Sequence, residues 1–173
     1  MARGSIAGAP TSETVESTVV LACRKCGAKN PTPGSELSTG RQCPGCKAEL
    51  APLAEPVEVD AGELVAVVMS AGVPVLIDFW ASWCPPCRAA GPIMKKVAAD
   101  LAGKAVVLKV NVDQEPALAA KFEVRSIPTF VVIRNRQVVK HHPGLAMPGT
   151  IKRWLAPEMQ NPLGARAVEQ KEG

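Results

Sequence analysis

All six cysteines of this chain lie in pairs with two residues between them, and this pairing restricts the possible folds more than any other feature. The pairs are Cys23 with Cys26, Cys43 with Cys46, and Cys84 with Cys87. A secreted disulfide framework is also rich in cysteine, but strict Cys-x-x-Cys pairing is typical of metal knuckles and of redox dithiols. Two separate cysteine chemistries are therefore expected in one chain.

Length and charge narrow the class of protein. A chain of 173 residues can form one domain of ordinary size plus a small additional module that needs a cross-link, such as a metal ion or a disulfide, to fold. The formal net charge of +4 is scattered, and nothing in it suggests nucleic-acid binding. The first twenty residues lack the apolar region of a signal peptide, and no later run reaches membrane-spanning length. We expect a cytoplasmic monomer that binds neither nucleic acid nor membrane, in a compartment that keeps thiols reduced.

Composition divides the chain into four segments. Residues 1–20 and 157–173 lack sustained apolar periodicity and are predicted to be flexible tails. Residues 21–53 hold four cysteines but few large apolar side chains, so burial alone cannot fold them. Residues 54–156 alternate strand and helix patterns, which predicts an α/β sheet domain.

The first two cysteine pairs are predicted to bind one metal ion. Two residues separate the cysteines of each pair, glycines permit tight turns, and sixteen residues separate the pairs. Four thiolates close a tetrahedral shell, which favours one structural zinc, with iron as an alternative. Two further redox dithiols are the other alternative, although neither pair has an apolar strand before it and a helix after it. The predicted ligands are Cys23, Cys26, Cys43 and Cys46.

The third pair is predicted to be a redox dithiol. Cys84 follows an apolar strand, Val75–Ala81, and stands where a helix begins, so backbone donors and the helix dipole favour its thiolate. Cys87 lies one turn later and can attack a mixed disulfide formed on Cys84. Asp78 interrupts the apolar strand, so burial is expected to raise its pKa toward neutrality.

Three segments resemble thioredoxins. They are Asp78–Cys87, with the sequence DFWASWCPPC, Val107–Asp113 and Val124–Phe130. The resemblance implies a thioredoxin fold, which has a central mixed sheet flanked by helices. It also implies protein-disulfide reductase activity on disulfide-containing client proteins. It further implies that an NADPH-dependent thioredoxin reductase reduces the oxidised protein again after each reaction. With the four-cysteine module in front, which is expected to be zinc-ribbon-like, the chain resembles the thioredoxin 2 group of zinc-containing bacterial thioredoxins.

The resemblance assigns roles to individual residues. Cys84 is the expected nucleophile and Cys87 the resolving cysteine, while Asp78 is implied to accept a proton from Cys87 during resolution. A cis peptide is expected before Pro128, where it would present the backbone of Ile127 to an extended client segment. Trp83 is expected to offer an exposed apolar contact to the client.

Two departures from the family pattern leave alternatives open. Pro85 stands where thioredoxins usually have glycine, and it removes one possible amide donor to the Cys84 thiolate. A more oxidising disulfide would make the protein a disulfide oxidant or isomerase. The alternative to an enzyme function is a zinc-dependent redox-sensing chaperone or binding module. Asn135-Arg136 replaces the family's usual Asn-Gly, which predicts a turn other than tight type I′.

Overall fold

The computed structural model describes residues 18–160, which contain a five-stranded mixed sheet, two small hairpins and four α-helices. The hairpin strands are β1 Val19–Ala22, β2 Lys29–Thr32, β3 Arg41–Gln42 and β4 Glu49–Leu50, with a 3₁₀ turn at Gly34–Glu36. The sheet strands are β5 Val57–Glu58, β6 Val75–Trp80, β7 Val106–Asn111, β8 Thr129–Arg134 and β9 Gln137–Pro143. The helices are α1 Ala61–Ser70, α2 Pro85–Asp100, α3 Pro116–Lys121 and α4 Pro148–Gln160.

The main sheet has the strand order β5-β7-β6-β8-β9. Strand β7 runs parallel to β5 and β6, whereas β8 runs antiparallel to both β6 and β9. β6 lies at the centre because its sequence is apolar on both faces apart from Asp78, as expected for a strand covered by helices on each side. This arrangement is the thioredoxin fold that the resemblance implies.

Alternate residues of β6 belong to two separate cores. Ile77 and Phe79 face a core that includes Leu64 of α1 and Leu118 of α3. Leu76 faces the opposite core, which is formed with α2 and α4. Since strand side chains alternate, Asp78 shares the face of Leu76 and lies beneath α2. The redox dithiol and the buried carboxylate are thereby placed on the same side of the sheet.

The four-cysteine module packs against α1 and contributes to the core beside it. Val19 and Leu37 are each only 1% exposed and belong to the same apolar cluster as Val67 of α1. Gly34 approaches this helix so closely that an added Cβ would lie 2.7 Å from Val67 Cα. The amide of Leu53 also donates to the carbonyl of Leu37 over 2.7 Å. The module and the sheet domain therefore share one packed interior.

Several local expectations can be compared with the structure. Asp60 and Glu63 form a capping box at the start of α1, in which each side chain accepts a hydrogen bond from the backbone amide of the other residue. The expected departure from a type I′ turn is wrong, because Asn135 (φ 50°) and Arg136 (φ 64°) both have positive φ in a two-residue turn. Pairing of the long strands β8 and β9 imposes this conformation without glycine.

Part of each predicted tail belongs to a regular element in the structure, so both tails were predicted to extend too far into the chain. Strand β1 begins at Val19 and is held by pairing with β2, while α4 continues to Gln160. The remainder of each predicted tail lies outside the described residues. Within residues 18–160, no helix is long and apolar enough to cross a membrane.

Candidate redox and metal sites

The third cysteine pair forms a disulfide at the junction of β6 and α2. Cys84 is the N-cap of α2, Cys87 lies in its first turn, and their Cα atoms are 5.3 Å apart. The amide of Cys87 donates to Cys84 Sγ over 3.2 Å. Because Pro85 and Pro86 have no N–H, this is the first amide within α2 that can reach the sulfur. Both cysteines are almost fully buried.

A second loop closes over the disulfide. The Ile127–Pro128 peptide is cis, as the resemblance implies, and the carbonyl oxygen of Ile127 lies 3.6 Å from Cys84 Sγ. The carbonyl of Pro128 accepts a hydrogen bond of 2.8 Å from the amide of Gly144, in the loop between β9 and α4. Three chain segments that are distant in sequence therefore meet at the disulfide.

Trp83 is exposed beside the disulfide and is held by a residue that the sequence did not single out. Its side chain is 62% exposed, and its Nε1 donates to Asp113 Oδ2 over 2.9 Å. The side chain of Arg88 reaches back to the carbonyl of Ser82, at 3.3 and 3.4 Å from two of its nitrogens. Asp113 was missed because no local pattern marks a contact that spans 30 residues.

Asp78 is a fully buried carboxyl with a strongly raised pKa. Its side chain has no accessible surface, and neither oxygen has a hydrogen-bond partner among residues 18–160. Burial raises its pKa from 3.8 to about 7, although the positive charge of Lys109 opposes the shift. Lys109 stands opposite Asp78 in the strand pairing, but its Nζ lies over the Trp80 ring at 3.8 Å from the centroid.

The other four cysteines converge on one point, as the sequence predicts. Their Sγ atoms all lie within 4.8 Å of one another. Each pair forms a tight turn closed by backbone hydrogen bonds, from Gly27 to Cys23 and from Lys47 to Cys43. The positive-φ residue is Gly27 in the first turn and Lys47 in the second, whereas Gly45 of the second pair does not have a positive φ.

The cluster fits a tetrahedral dication in both distance and charge. The Cys23–Cys46 and Cys26–Cys43 sulfurs are each 3.7 Å apart, and the sulfurs of a tetrahedral zinc site lie about 3.8 Å apart. Hydrogen bonding from the backbone of Cys46 lowers the pKa of Cys43 to about 6 against the effect of burial. The backbone of Ala28 also favours the Cys26 thiolate, but the sulfur of Cys46 and burial together raise that pKa to about 11. Four thiolates this close repel one another, so a divalent cation suits them.

The sheet topology and the disulfide at a helix N-terminus define a disulfide oxidoreductase. Residues 55–157 match the family model described as Thioredoxin. Thioredoxin C-3 of Corynebacterium nephridii is 34% identical over 146 residues, which cover 84% of this chain and 99% of that protein. Thioredoxin of Haemophilus influenzae is 41% identical over 98 residues, or 57% of this chain and 91% of that protein. The chain belongs to the thioredoxin family.

One solved structure and the alignment with Thioredoxin C-3 add detail to this assignment. A mutant thioredoxin from Halobacterium salinarum superposes with a TM-score of 0.58 at 32% identity, covering 61% of this chain and 92% of that one. The alignment with Thioredoxin C-3 is longer than residues 55–173 can supply. It therefore includes part of the N-terminal module as well as the sheet domain.

Proposed function

We propose that this protein is a protein-disulfide reductase that works through Cys84 and Cys87. The Cys84 thiolate attacks one sulfur of a client disulfide, which forms a mixed disulfide and expels the client's first thiolate. The Cys87 thiolate then attacks Cys84 Sγ, releasing the client's second thiolate and restoring the Cys84–Cys87 disulfide. Two electrons pass to the client, whose two thiolates take up two protons.

The oxidised protein is proposed to be recharged by thioredoxin reductase. That enzyme supplies two electrons from NADPH, so the nicotinamide cofactor belongs to the partner and not to this chain. Such a cycle suits a reducing compartment, and we place the protein in the cytoplasm as a monomer. Its clients are proteins that carry accessible disulfides.

The position of the Cys84–Cys87 disulfide carries the proposal. Cys84 Sγ accepts the Cys87 amide at the positive end of α2, so negative charge is favoured on this sulfur. Cys87 lies within the first turn, where it can reach a mixed disulfide on its neighbour. The asymmetry makes Cys84 the attacking residue and Cys87 the resolving residue.

Asp78 is proposed to accept the proton of the Cys87 thiol, directly or through one water molecule. A pKa of about 7 lets this carboxyl both take up and return a proton near neutral pH. Its location beneath α2, the helix that carries Cys87, supports the assignment. Because the Asp78 side chain is fully buried, it does not lie on the solvent-facing side of its strand.

Trp83, Ile127 and Pro128 are proposed to contact the client. The carbonyl of Ile127 lies beside Cys84 Sγ, where the main chain of an extended client segment could pair with it. The exposed Trp83 ring offers an apolar surface next to the nucleophile, and its hydrogen bond to Asp113 fixes its orientation.

One zinc ion is proposed to be held by Cys23, Cys26, Cys43 and Cys46. Four cysteines fill the coordination shell, so the ion has a structural role and leaves no position for a substrate. It would fix the two turns whose module packs against α1. We expect purified protein to contain one zinc per chain by elemental mass spectrometry, and Cys43→Ser to lose it.

The reductase activity is tested by NADPH-coupled reduction of insulin with added thioredoxin reductase. We expect turnover by the intact protein and none by Cys84→Ser. Cys26→Ser, with its folding checked by circular dichroism, is the control and should retain turnover. Loss with Cys26→Ser but not with Cys84→Ser would instead support a zinc-dependent binding module. No turnover by the intact protein, together with a strongly oxidising reduction potential, would support an oxidant or isomerase.

A further inference from the structure

A cavity of about 420 Å³ lies between the end of α3 and strand β9, and neither redox cysteine lines it. Its lining residues are Lys121, Phe122, Glu123, Arg125, Val138 and His141. The first ends α3, the next three stand in the loop from α3 to β8, and the last two belong to β9. A volume of this size is typical of pockets that hold small organic molecules.

An irregularity in β9 brings two of these residues to the same side of the strand. The pairing of β9 with β8 skips Val139, since Val138 and Lys140 face consecutive residues of β8. In a regular strand, side chains three positions apart, such as those of Val138 and His141, point to opposite faces. The extra residue changes this alternation, and both side chains line the cavity.

The walls of the cavity are fixed by contacts within the protein. Nε2 of His141 lies 3.0 Å from the carbonyl oxygen of Phe122, which joins β9 to the end of α3. The ring of Phe122 packs on the buried ring of Phe79, with 5.4 Å between the centroids. The amide of Val124 donates to the carbonyl of Ala119 over 2.8 Å and holds the loop against α3. Little entropy is therefore lost in ordering the site when a ligand binds.

The cavity combines apolar side chains with an excess of positive charge. Phe122 and Val138 supply the apolar surface. Lys121 and Arg125 carry two positive charges, against one negative charge on Glu123. Within residues 18–160, none of these three charged side chains forms an ion pair or a side-chain hydrogen bond. Both cations are therefore available to a ligand.

We propose that this cavity binds a small organic anion that has an apolar ring and one acidic group, such as a carboxylate. The ring packs against Phe122 and Val138, where it is removed from water. Lys121 and Arg125 bind the acidic group, and the Arg125 guanidinium can donate two parallel hydrogen bonds to it. Glu123 repels a second negative charge, so a singly charged ligand fits best. This inference does not depend on the proposed reductase function.

The test is a titration of the full chain with a naphthoate ion, followed through the backbone amide signals in two-dimensional NMR spectra. Naphthylmethanol has the same ring without the charge, so it measures the apolar contribution alone. The protein variant is Lys121→Gln with Arg125→Gln. The matched control is Lys95→Gln with Lys104→Gln, because both lysines are exposed, lack an ion pair and give the same change in net charge.

A second pair of variants tests the site in case the double substitution prevents folding. Val138→Glu adds a negative charge to the cavity at a side chain that is 48% exposed. Val65→Glu makes the same change on α1, at a side chain that is 50% exposed. Thermal unfolding compares every variant with the parent protein.

We expect naphthoate to shift the amide signals of residues 121–125 and 138–141. It should bind about ten-fold more weakly to the Lys121→Gln, Arg125→Gln variant and to Val138→Glu, and within about two-fold of the parent affinity to both controls. Naphthylmethanol should bind the parent protein about ten-fold more weakly than naphthoate. Absence of naphthoate binding, shifts confined to other residues, or equal affinities for the two ligands would overturn the inference. Equal affinities of the cavity variants and their controls would overturn it as well.

Discussion

Replacing Asp78 by asparagine removes an ionisable group from the buried central strand β6. Ionisation of a buried carboxyl without a hydrogen-bond partner destabilises the folded state, and its pKa rises from 3.8 to about 7 for this reason. Each pKa unit corresponds to about 1.4 kcal/mol, so the carboxylate costs about 4 kcal/mol of folding free energy once it is fully ionised. Asparagine cannot ionise and escapes this cost.

The pH dependence has a definite sign. Between pH 3.8 and 7 the folded protein keeps a proton on Asp78 that the unfolded chain has lost, so the free energy of unfolding falls as pH rises. Below pH 3.8 Asp78 is protonated in both states and does not lower the free energy of unfolding. Above about pH 7 it is ionised in both states, and the free energy of unfolding is lowered by the full cost of the buried charge. We therefore expect Asp78→Asn to become more stable relative to the parent protein by about 1.4 kcal/mol per pH unit in that window, and then to level off.

The assay is urea unfolding of the oxidised, metal-loaded protein at several pH values from 5 to 8.5, followed by circular dichroism. The stability difference between Asp78→Asn and the parent protein is plotted against pH, so that other titrating groups cancel. Glu58→Gln is the control, because Glu58 is an exposed strand carboxyl on β5 and should give a difference within about 0.5 kcal/mol. A difference for Asp78→Asn that stays flat across this range would refute the reasoning.

Three further predictions concern the module and its support. Gly34→Ala should lower the free energy of unfolding by about 1–3 kcal/mol, because the new Cβ would clash with Val67. Gly72→Ala is the control and should not lower it, because a Cβ at Gly72 meets open space. Urea unfolding of the two variants makes the comparison. Metal removal by a chelator should lower the temperature of the calorimetric unfolding transition of the whole chain, because Leu37 of the module belongs to the shared core. An unchanged main transition temperature would contradict this prediction. Asp60→Ala should cost about 1 kcal/mol through loss of the α1 cap, measured by thermal unfolding, and an unchanged transition would argue against the cap.

The candidate sites could be found from the sequence where their geometry is local. A spacing of two residues brings the sulfurs of one pair together in any tight turn or first helical turn. Metal binding and disulfide exchange could therefore be predicted from the sequence without knowledge of the fold. The burial of Asp78 also followed from its apolar neighbours in β6. The Trp83–Asp113 hydrogen bond could not be predicted, because it joins two loops that meet only after folding.

The sequence by itself determined the element types, the capping box of α1 and the separation of metal and redox cysteines, since each depends on residues a few positions apart. The tertiary structure decided how these parts are arranged. Val19, expected in a tail, is buried against α1, and Asn135-Arg136 adopts a positive-φ turn because β8 and β9 pair around it. Such features are set by burial and strand pairing between distant segments, and these energies outweigh local conformational preference.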